Sequence, residues 1–304
     1  MDVYKLRPAH QTAKLIERSR FERETQSKSP WYRERASGEK SQFAVCPACD
    51  SPIQLIGLYR LPPGVKHPFG KHTTHAVPGL ANIDDEAREG CPYFKPRKHN
   101  KLDRKQRFEG VPRKVLELLV DQFDRVEYIL RRQTGIKFSQ RALRHMLRSY
   151  DGERGHLYMG ATLRNVPWIF AYMSDSTGLY GQVIKNEAMR SAILAHVPNA
   201  TFDDNHRLLA RPDARKRRHF DIAVCFVGHD TVKSEEGQVY ETMKMSVSVR
   251  WDREIDVESF YEEDIVFEYG FFERLLNLSP EHAKKNRDMR LVEIASEILG
   301  HWLA

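Results

Sequence analysis

The chain has 304 residues, of which 40% are hydrophobic and 30% charged, with a formal net charge of +7. This composition supports a folded core and excludes a wholly disordered chain. No run approaches the roughly 18 consecutive apolar residues of a membrane span, and the N-terminus lacks the apolar segment of a secretory signal. With only four cysteines, we expect a reducing, cytoplasmic compartment and no membrane partner.

Changes in residue composition along the chain predict four segments. Residues 1–42 are polar and basic and predict an exposed arm, with a short helix between 12 and 23. Residues 43–94 are rich in Cys, His, Pro and Gly, lack helical periodicity, and predict a small metal-stapled module. Residues 95–151 predict a basic linker and a helical hairpin, and residues 152–304 predict an α+β domain.

A metal-binding motif lies in the second segment. Cys46 and Cys49 form a Cys-x₂-Cys knuckle, whose tight turn lets two thiolates meet one ion. Zinc takes four nitrogen or sulfur ligands in a tetrahedron, and Cys91 supplies a third thiolate. His72 is the preferred fourth ligand, because it ends a compact turn between the knuckle and Cys91. The alternative fourth ligands are His67 and His75. Three thiolates and an imidazole leave no open position, so we expect a structural zinc site.

Two other interpretations of this segment stay open. The knuckle could be a redox pair with Cys91 as a core thiol, although residues 50–52 break the helix that such a pair usually begins. The module could also contact nucleic acid directly, because Lys66, Lys71, Lys95 and Arg97 flank it. The remaining cysteine, Cys225, lies in an apolar strand and is predicted to be a core residue.

The order of these motifs resembles a known family. Cys-x₂-Cys at 46–49, a His- and Phe-containing turn at 67–72 and Cys91-Pro92 are similar to the N-terminal zinc module of CoiA-like competence proteins. That family pairs the module with a nuclease domain of the PD-(D/E)XK type, so the resemblance implies a metal-dependent nuclease. The chain departs from the family pattern, since it reads His-Pro-Phe-Gly-Lys-His where the family has His-Phe-x-His.

Nucleases of that type hold Mg²⁺ between an acidic pair and a nearby lysine. The candidates here are Asp221 at the start of one strand, with Glu241 and Lys244 on the next. Residues i and i+3 of a strand point to opposite faces. Glu241 therefore falls on the apolar face and Lys244 on the other, and a bulge would be needed to bring them to one metal. The nuclease is accordingly the alternative hypothesis.

Basic charge is concentrated after the metal module. Lys95–Arg107 holds seven basic residues and one acid, whereas Asp252–Glu281 holds ten acids and two arginines. This split favours one surface that faces a polyanion, although a solvated linker would also explain it. Because phosphate contacts dominate affinity for nucleic acid, we expect basic side chains to bind its backbone. The expected contacts are Lys95, Arg97, Lys98, Lys101, Arg104, Lys105, Arg141, Arg144 and Arg148.

Two helices are predicted after the basic run. Apolar residues at helical spacing predict a helix that starts at Pro112 and is ended by Gly135, and Ser139 can cap a second helix to about Tyr150. The second helix carries arginines opposite its apolar face. That outline is compatible with a helix-turn-helix, but it is more typical of a plain packed hairpin.

The second half of the chain predicts a mainly antiparallel sheet, because turns rather than long helices join its apolar runs. The predicted strands are His156–Leu163, Trp168–Met173, Tyr180–Lys185, His219–Gly228, Val239–Trp251 and Asp264–Phe272. Helices are predicted at Asn186–His196 and from Ser279 to the C-terminus. The fold class expected for the whole chain is α+β.

The sequence therefore predicts a zinc-stabilised protein that binds DNA or RNA, alone or within a larger assembly. A Mg²⁺-dependent nuclease and a non-catalytic subunit of a multiprotein complex are the alternatives. An enzyme is the less expected class, because no P-loop, dinucleotide fingerprint or nucleophile elbow occurs. Trp31, Tyr32 and Trp168 are the aromatic residues that could stack on bases.

Overall fold

The computed structural model describes residues 1–10, 12–34, 38–212, 219–233, 239–252, 257–278, 282 and 287–304. Every strand pair within these residues is antiparallel. The predicted α+β class, with mainly antiparallel sheets and a C-terminal helix, is confirmed.

The described helices are α1 (Arg18–Thr25), α2 (Asp85–Glu89), α3 (Val111–Asp121), α4 (Phe123–Thr134), α5 (Gln140–Gly152), α6 (Val166–Tyr172), α7 (Glu187–His196), α8 (Tyr269–Leu276) and α9 (Met289–Leu299). The described strands are β1 (Val3–Tyr4), β2 (Lys14–Leu15), β3 (Tyr32–Glu34), β4 (Lys40–Val45), β5 (Pro52–Ile56), β6 (Phe69–His72), β7 (Ile136–Lys137), β8 (Thr177–Gly178), β9 (Val183–Ile184), β10 (Ala200–Phe202), β11 (Leu208–Ala210), β12 (Phe220–Lys233), β13 (Val239–Trp251) and β14 (Glu258–Val266).

An N-terminal sheet has the strand order β3-β4-β5-β6. The described part of residues 1–34 packs against it instead of forming the expected exposed arm. Tyr4 and Phe21 are fully buried in an edge-to-face contact at 5.3 Å, and Tyr32 packs on the same ring. The expectation failed because a few widely spaced aromatic residues in a polar segment leave no periodic signal. The four segment boundaries themselves stay predictions.

The helical region contains three consecutive helices where two were predicted. The long helix predicted from Pro112 is interrupted at Gln122, whose φ of −123° and ψ of 23° separate α3 from α4. Gly135 ends α4 in the left-handed region at φ 69°, where an added Cβ would lie 2.7 Å from the Asn186 nitrogen. Ser139 caps α5 as predicted, since its side chain accepts a hydrogen bond from the Ala142 N–H.

The C-terminal helix α9 packs against α3, α4 and α5. Arg144 on α5 forms an ion pair with Glu297 on α9 at 2.8 Å, so α9 lies beside the basic side of α5. This arrangement matches a packed hairpin more closely than a free recognition helix. The helix start predicted at Ser279 lies outside the described residues.

The C-terminal sheet has the order β14-β13-β12-β8 and contains the long β12–β13 hairpin. The predicted strands at His219–Gly228 and Val239–Trp251 are confirmed, and α7 is confirmed with Asn186 as its cap. Four strand predictions fail in part or whole. The run at 168–173 lies in the buried helix α6. The run at 156–163 begins within a 3₁₀ turn at 155–157. In the run at 264–272, β14 ends at Val266 and α8 begins at Tyr269. Short apolar runs buried on all sides do not distinguish strand from helix. In the run at 180–185, only β9 is a strand.

One continuous cluster of buried apolar side chains extends from Tyr4 to Leu299. His156 is fully buried. Neither of its ring nitrogens forms a hydrogen bond with a described residue. Its ring contacts Phe108 at 5.3 Å and Trp302 at 4.9 Å. Burial, opposed by the nearby Asp151 carboxylate, lowers the pKa of His156 from 6.5 to about 4.

This buried imidazole makes folding stability depend on pH. Between pH 6.5 and 4 the unfolded chain binds a proton at His156 that the folded chain does not, so stability is full above this window and falls as pH falls through it. We expect His156→Phe to flatten the pH dependence of the denaturant midpoint in that window. The exposed His145→Gln is the control and should leave the slope unchanged. Equal slopes for His156→Phe and the unmodified protein would contradict this account.

Candidate metal centre and basic cleft

The knuckle at residues 46–50 is a tight turn between β4 and β5. The Cys46 N–H donates to the Ser51 carbonyl at 2.8 Å, and the Asp50 N–H donates to the Cys46 carbonyl at 3.1 Å. Asp50 adopts a left-handed φ of 61°, a conformation in which Asp and Asn are more frequent than most residues. This reversal places the thiols of Cys46 and Cys49 on one side of the turn.

Two further elements bring the other ligands to the knuckle. His72 ends β6 and is paired in register with Ile53 of β5, the strand that leaves the knuckle. Cys91 follows α2 directly after Gly90. A Cβ on Gly90 would lie 2.6 Å from the Met159 carbonyl, so only glycine permits this close approach of the end of α2 to the loop after the 3₁₀ turn at 155–157.

The four predicted ligands converge. The Cys46 and Cys91 sulfurs are 3.7 Å apart, and His72 Nε2 lies 3.3 Å from the Cys49 sulfur and 3.8 Å from that of Cys91. All four ligand atoms lie within 4.8 Å of one another, so the cluster could hold a metal ion. His67 and His75 are exposed and lie outside this cluster. The structure therefore selects His72 among the three histidines that spacing left open.

Burial shapes the ionisation of the three thiols. Burial, reinforced by the Cys46 neighbour, raises the pKa of Cys49 and that of Cys91. Burial also opposes ionisation of Cys46, but hydrogen bonds from Cys49, Cys91 and the knuckle N–H groups outweigh it and lower the pKa of Cys46 well below its usual value. A cation at the centre would favour the thiolate form of all three groups, because a coordinating thiol is deprotonated.

Asp50 ties the knuckle to two distant parts of the chain. Its carboxylate forms ion pairs with Lys5 and with Lys114 of α3. The Lys5 side chain is only 1% exposed, and its ammonium also donates to the Pro8 carbonyl at 3.2 Å. The backbone of Lys5 pairs with Val45, the residue before the knuckle. The metal cluster, the N-terminal strand and the helical region are thus joined at one half-buried charged group.

The nine predicted phosphate-contacting residues fall into two groups. Arg97, Lys98, Arg141 and Arg148 are exposed and form no ion pair with another described residue. The other five are engaged within the protein, and three of them form ion pairs at 2.8–3.0 Å. Those three pairs are Lys95–Glu89, Arg104–Glu153 and Arg144–Glu297. Lys101 is half-buried, with its ammonium 5.4 Å from the centre of the Tyr172 ring.

For Lys105, the prediction of a phosphate contact is wrong. It is 4% exposed, and its ammonium donates to the Ala161 carbonyl at 2.6 Å. Burial lowers the pKa of Lys105 to about 8. This side chain holds the loop after α5 in place and does not reach a surface ligand.

A cleft of about 380 Å³ lies beside this segment. Its lining residues are Arg97, Lys98, His99, Asp103, Arg104 and Met159. Burial and the Arg97 charge lower the pKa of His99 to about 4, so His99 adds no charge at neutral pH. Three cations and one carboxylate therefore face the cleft, which makes it attractive to an anion.

The structure does not bring the nuclease candidates together. Asp221 lies opposite Arg250 in the ladder, and the two form an ion pair at 3.1 Å. Arg250 is nine positions beyond Glu241 on β13, which is ~30 Å at ~3.3 Å per residue. Lys244 points to the exposed face and pairs with Glu262 at 2.8 Å, while Glu241 is buried. These three residues cannot share one metal ion.

Glu241 instead forms the centre of a buried polar cluster. Asn165 donates to its two carboxylate oxygens at 3.2 and 3.0 Å, and Tyr269 donates to one of them. His229 Nε2 lies 3.6 Å from the carboxylate, and its Nδ1 contacts the Tyr158 hydroxyl at 3.0 Å. These contacts satisfy a carboxylate that is 2% exposed, as burial of a charged group requires.

The aromatic residues proposed for base stacking are placed unfavourably. Trp168 is fully buried and donates to Gln133, and Tyr32 is 7% exposed. Trp31 is half-buried, and its indole N–H donates to the Leu6 carbonyl at 2.9 Å. Tyr59, which the stacking prediction did not include, is 46% exposed. The feature of the sequence that could have indicated exposure of Tyr59 is its position between Gly57 and Arg60, in a turn near the metal motif.

Comparisons of the chain with protein-family models, with curated proteins and with solved structures returned no match. The resemblance to the CoiA-like zinc module therefore depends on the motif alone. No helix in the described part of the chain combines the length and the apolar character needed to cross a membrane.

The Glu241 cluster predicts a specific stability effect. Tyr269→Phe removes a donor from a buried carboxylate, and we expect it to lower the free energy of unfolding by about 1–3 kcal/mol. Tyr128→Phe is the matched control, because Tyr128 is 39% exposed and should change stability by less than ~0.5 kcal/mol. Denaturant unfolding measures both. If Tyr269→Phe changed the free energy of unfolding as little as the control does, this hydrogen bond would not stabilise the fold as expected.

Proposed function

We propose that this protein is a zinc-stabilised nucleic-acid-binding protein whose basic cleft contacts the phosphate backbone. The observation that carries the proposal is the cleft lined by Arg97, Lys98 and Arg104, in which the first two cations are exposed and form no ion pair with another described residue. Uncompensated cations of this kind are what a phosphate backbone binds, with release of its counterions.

The choice of zinc is supported by ligand chemistry and geometry. Soft thiolates with an imidazole favour Zn²⁺ over Mg²⁺ or Ca²⁺. With Zn–S near 2.3 Å, two sulfurs in a tetrahedron are ~3.8 Å apart, and a sulfur and a nitrogen are ~3.5 Å apart. The observed separations of 3.7, 3.3 and 3.8 Å are close to these values. Four protein ligands complete the coordination, so the ion would have a structural role.

The cleft would be positioned by the metal module. Cys91 is a ligand, and the chain continues through Phe94, which contacts the His72 ring at 5.4 Å, to the exposed cations Arg97 and Lys98. On the other side, Arg104 is fixed by the Glu153 carboxylate at 3.0 Å and by the Glu153 carbonyl at 2.8 Å. The cleft is therefore bounded by two anchored segments, and loss of the ion would release one of them.

Metal content tests the first half of the proposal. We expect the purified full chain to contain one zinc ion per molecule by elemental analysis. Cys91→Ser should lose the ion and unfold at lower temperature, because the two remaining thiols and His72 then lack their shared cation. Cys225→Ser, which lies outside the cluster, is the control and should retain the zinc. Full zinc occupancy in Cys91→Ser would contradict the assigned ligand set.

Salt dependence of binding tests the second half. For the zinc-loaded chain on labelled duplex DNA, single-stranded DNA and RNA, affinity should fall steeply with salt. Arg97→Ala combined with Lys98→Ala should reduce the log–log salt slope on a duplex by ~1.8, since each phosphate contact contributes ~0.9. Arg113→Ala is the control, because Arg113 is paired with Glu117 at 3.0 Å.

An unchanged slope in the double variant would overturn the cleft as the contact surface. If the unmodified chain bound no nucleic acid at low salt, the proposal itself would fail. The alternative of a subunit that meets an acidic protein partner through the same basic surface would then be favoured.

A further inference from the structure

A second groove lies in the N-terminal sheet, where β4 and β5 separate. Its volume is about 660 Å³, which is within the range of small-ligand sites. The β4–β5 ladder reaches Gln42 opposite Leu55, and the chain then turns at Gly57, so Lys40 and Tyr59 both line the opening. This groove shares no lining residue with the basic cleft.

Tyr59 is an exposed ring held in a fixed position. Its hydroxyl donates to the Glu22 carboxylate at 2.7 Å and contacts the Tyr32 hydroxyl at 3.0 Å. The Arg18 guanidinium lies over one face of the ring, 4.4 Å from its centre, so a base would stack on the opposite face. An exposed tyrosine loses rotamer freedom in such an arrangement, so the contacts prepare the ring for a partner before that partner binds.

Polar groups beside the ring present hydrogen-bonding atoms. The Gln42 amide nitrogen donates to the Lys40 carbonyl at 2.8 Å, and the Gln54 amide nitrogen lies 3.4 Å from the Ser41 hydroxyl. The carbonyl oxygens of these two side chains accept no hydrogen bond from the described residues. Two cations, Lys40 and Arg60, and one carboxylate, Glu39, line the same groove, so its cations outnumber its acids.

These features together match the needs of an unpaired nucleobase. A base offers a π face to an aromatic ring, donors on its edge to carbonyl oxygens, and a neighbouring phosphate to cations. A base within a duplex cannot present its face, because both faces are stacked. We propose that the groove at Tyr59 binds an unpaired base, so that this protein binds single-stranded nucleic acid more tightly than a duplex. This inference rests on the proposed function.

The test compares a labelled oligothymidine strand with a labelled duplex of equal length, using the full zinc-loaded chain. Tyr59→Leu removes the aromatic face and keeps an apolar side chain, whereas Tyr59→Phe keeps the face. We expect Tyr59→Leu to weaken single-strand binding by ~5- to 150-fold, the range for loss of one stacked base. Tyr59→Phe should stay within about threefold of the unmodified protein, and neither variant should change duplex binding.

A second measurement does not depend on affinity. A strand that carries iodouracil should crosslink on irradiation to a peptide that contains Tyr59, as identified by mass spectrometry. Unfolding curves of both Tyr59 variants serve as the folding control. If Tyr59→Leu is destabilised, the crosslink to the unmodified protein decides the question.

Three results would overturn the inference. They are equal single-strand binding by Tyr59→Leu and the unmodified protein, an equal loss on the duplex, and a crosslink that maps only outside the groove. If an extended peptide occupied the groove and none of these nucleic acids did, the groove would be assigned to a protein ligand instead. If the unmodified chain bound neither strand nor duplex, the proposed function would fail together with this inference. Failure of this inference alone would leave binding by the unmodified chain intact.

Discussion

The convergence of Cys46, Cys49, His72 and Cys91 is the constraint on which the N-terminal half depends. These ligands come from a turn, a strand end and the loop after a short helix, and they lie within 4.8 Å of one another. Local contacts alone are weak in such a segment, since β6 has four residues and α2 has five. A shared ion would join elements that are individually too short to be stable, as in other small metal-stapled modules.

The half-buried Asp50 carboxylate extends this constraint beyond the module. Through Lys5 and Lys114 it connects the knuckle to the N-terminal strand and to α3. A buried charge that loses one partner is strongly destabilising, so these residues depend on one another. The first strand, which the polar N-terminal sequence did not predict, is in this way part of the structure that surrounds the metal cluster.

The distribution of charge shows how the fold separates structural cations from surface cations. Lys5 and Lys105 are buried and bonded to acceptors, and Arg104 and Arg144 are held in ion pairs. Exposed surface ion pairs contribute little to stability, so these contacts act mainly by fixing side-chain positions. Fewer cations are exposed and without an ion pair among the described residues than the sequence contains. Arg97 and Lys98 beside the cleft are two of them. Net charge alone therefore overstates the binding surface.

The sequence by itself determined the fold class, the two long strands β12 and β13, the cap at Ser139 and the candidate metal ligands Cys46, Cys49 and Cys91, with His72 preferred among three histidines. These features depend on local spacing, because periodicity and capping act between residues close in the chain. It also placed Glu241 and Lys244 on opposite faces of one strand. Tertiary structure decided the features that depend on distant residues. It selected His72 among three histidines, made a helix of the buried run that includes Trp168, and separated Asp221 from Glu241 along the ladder. It also left Tyr59 exposed while burying Tyr32. No local pattern encodes these outcomes, because each depends on which surfaces meet after the chain has folded.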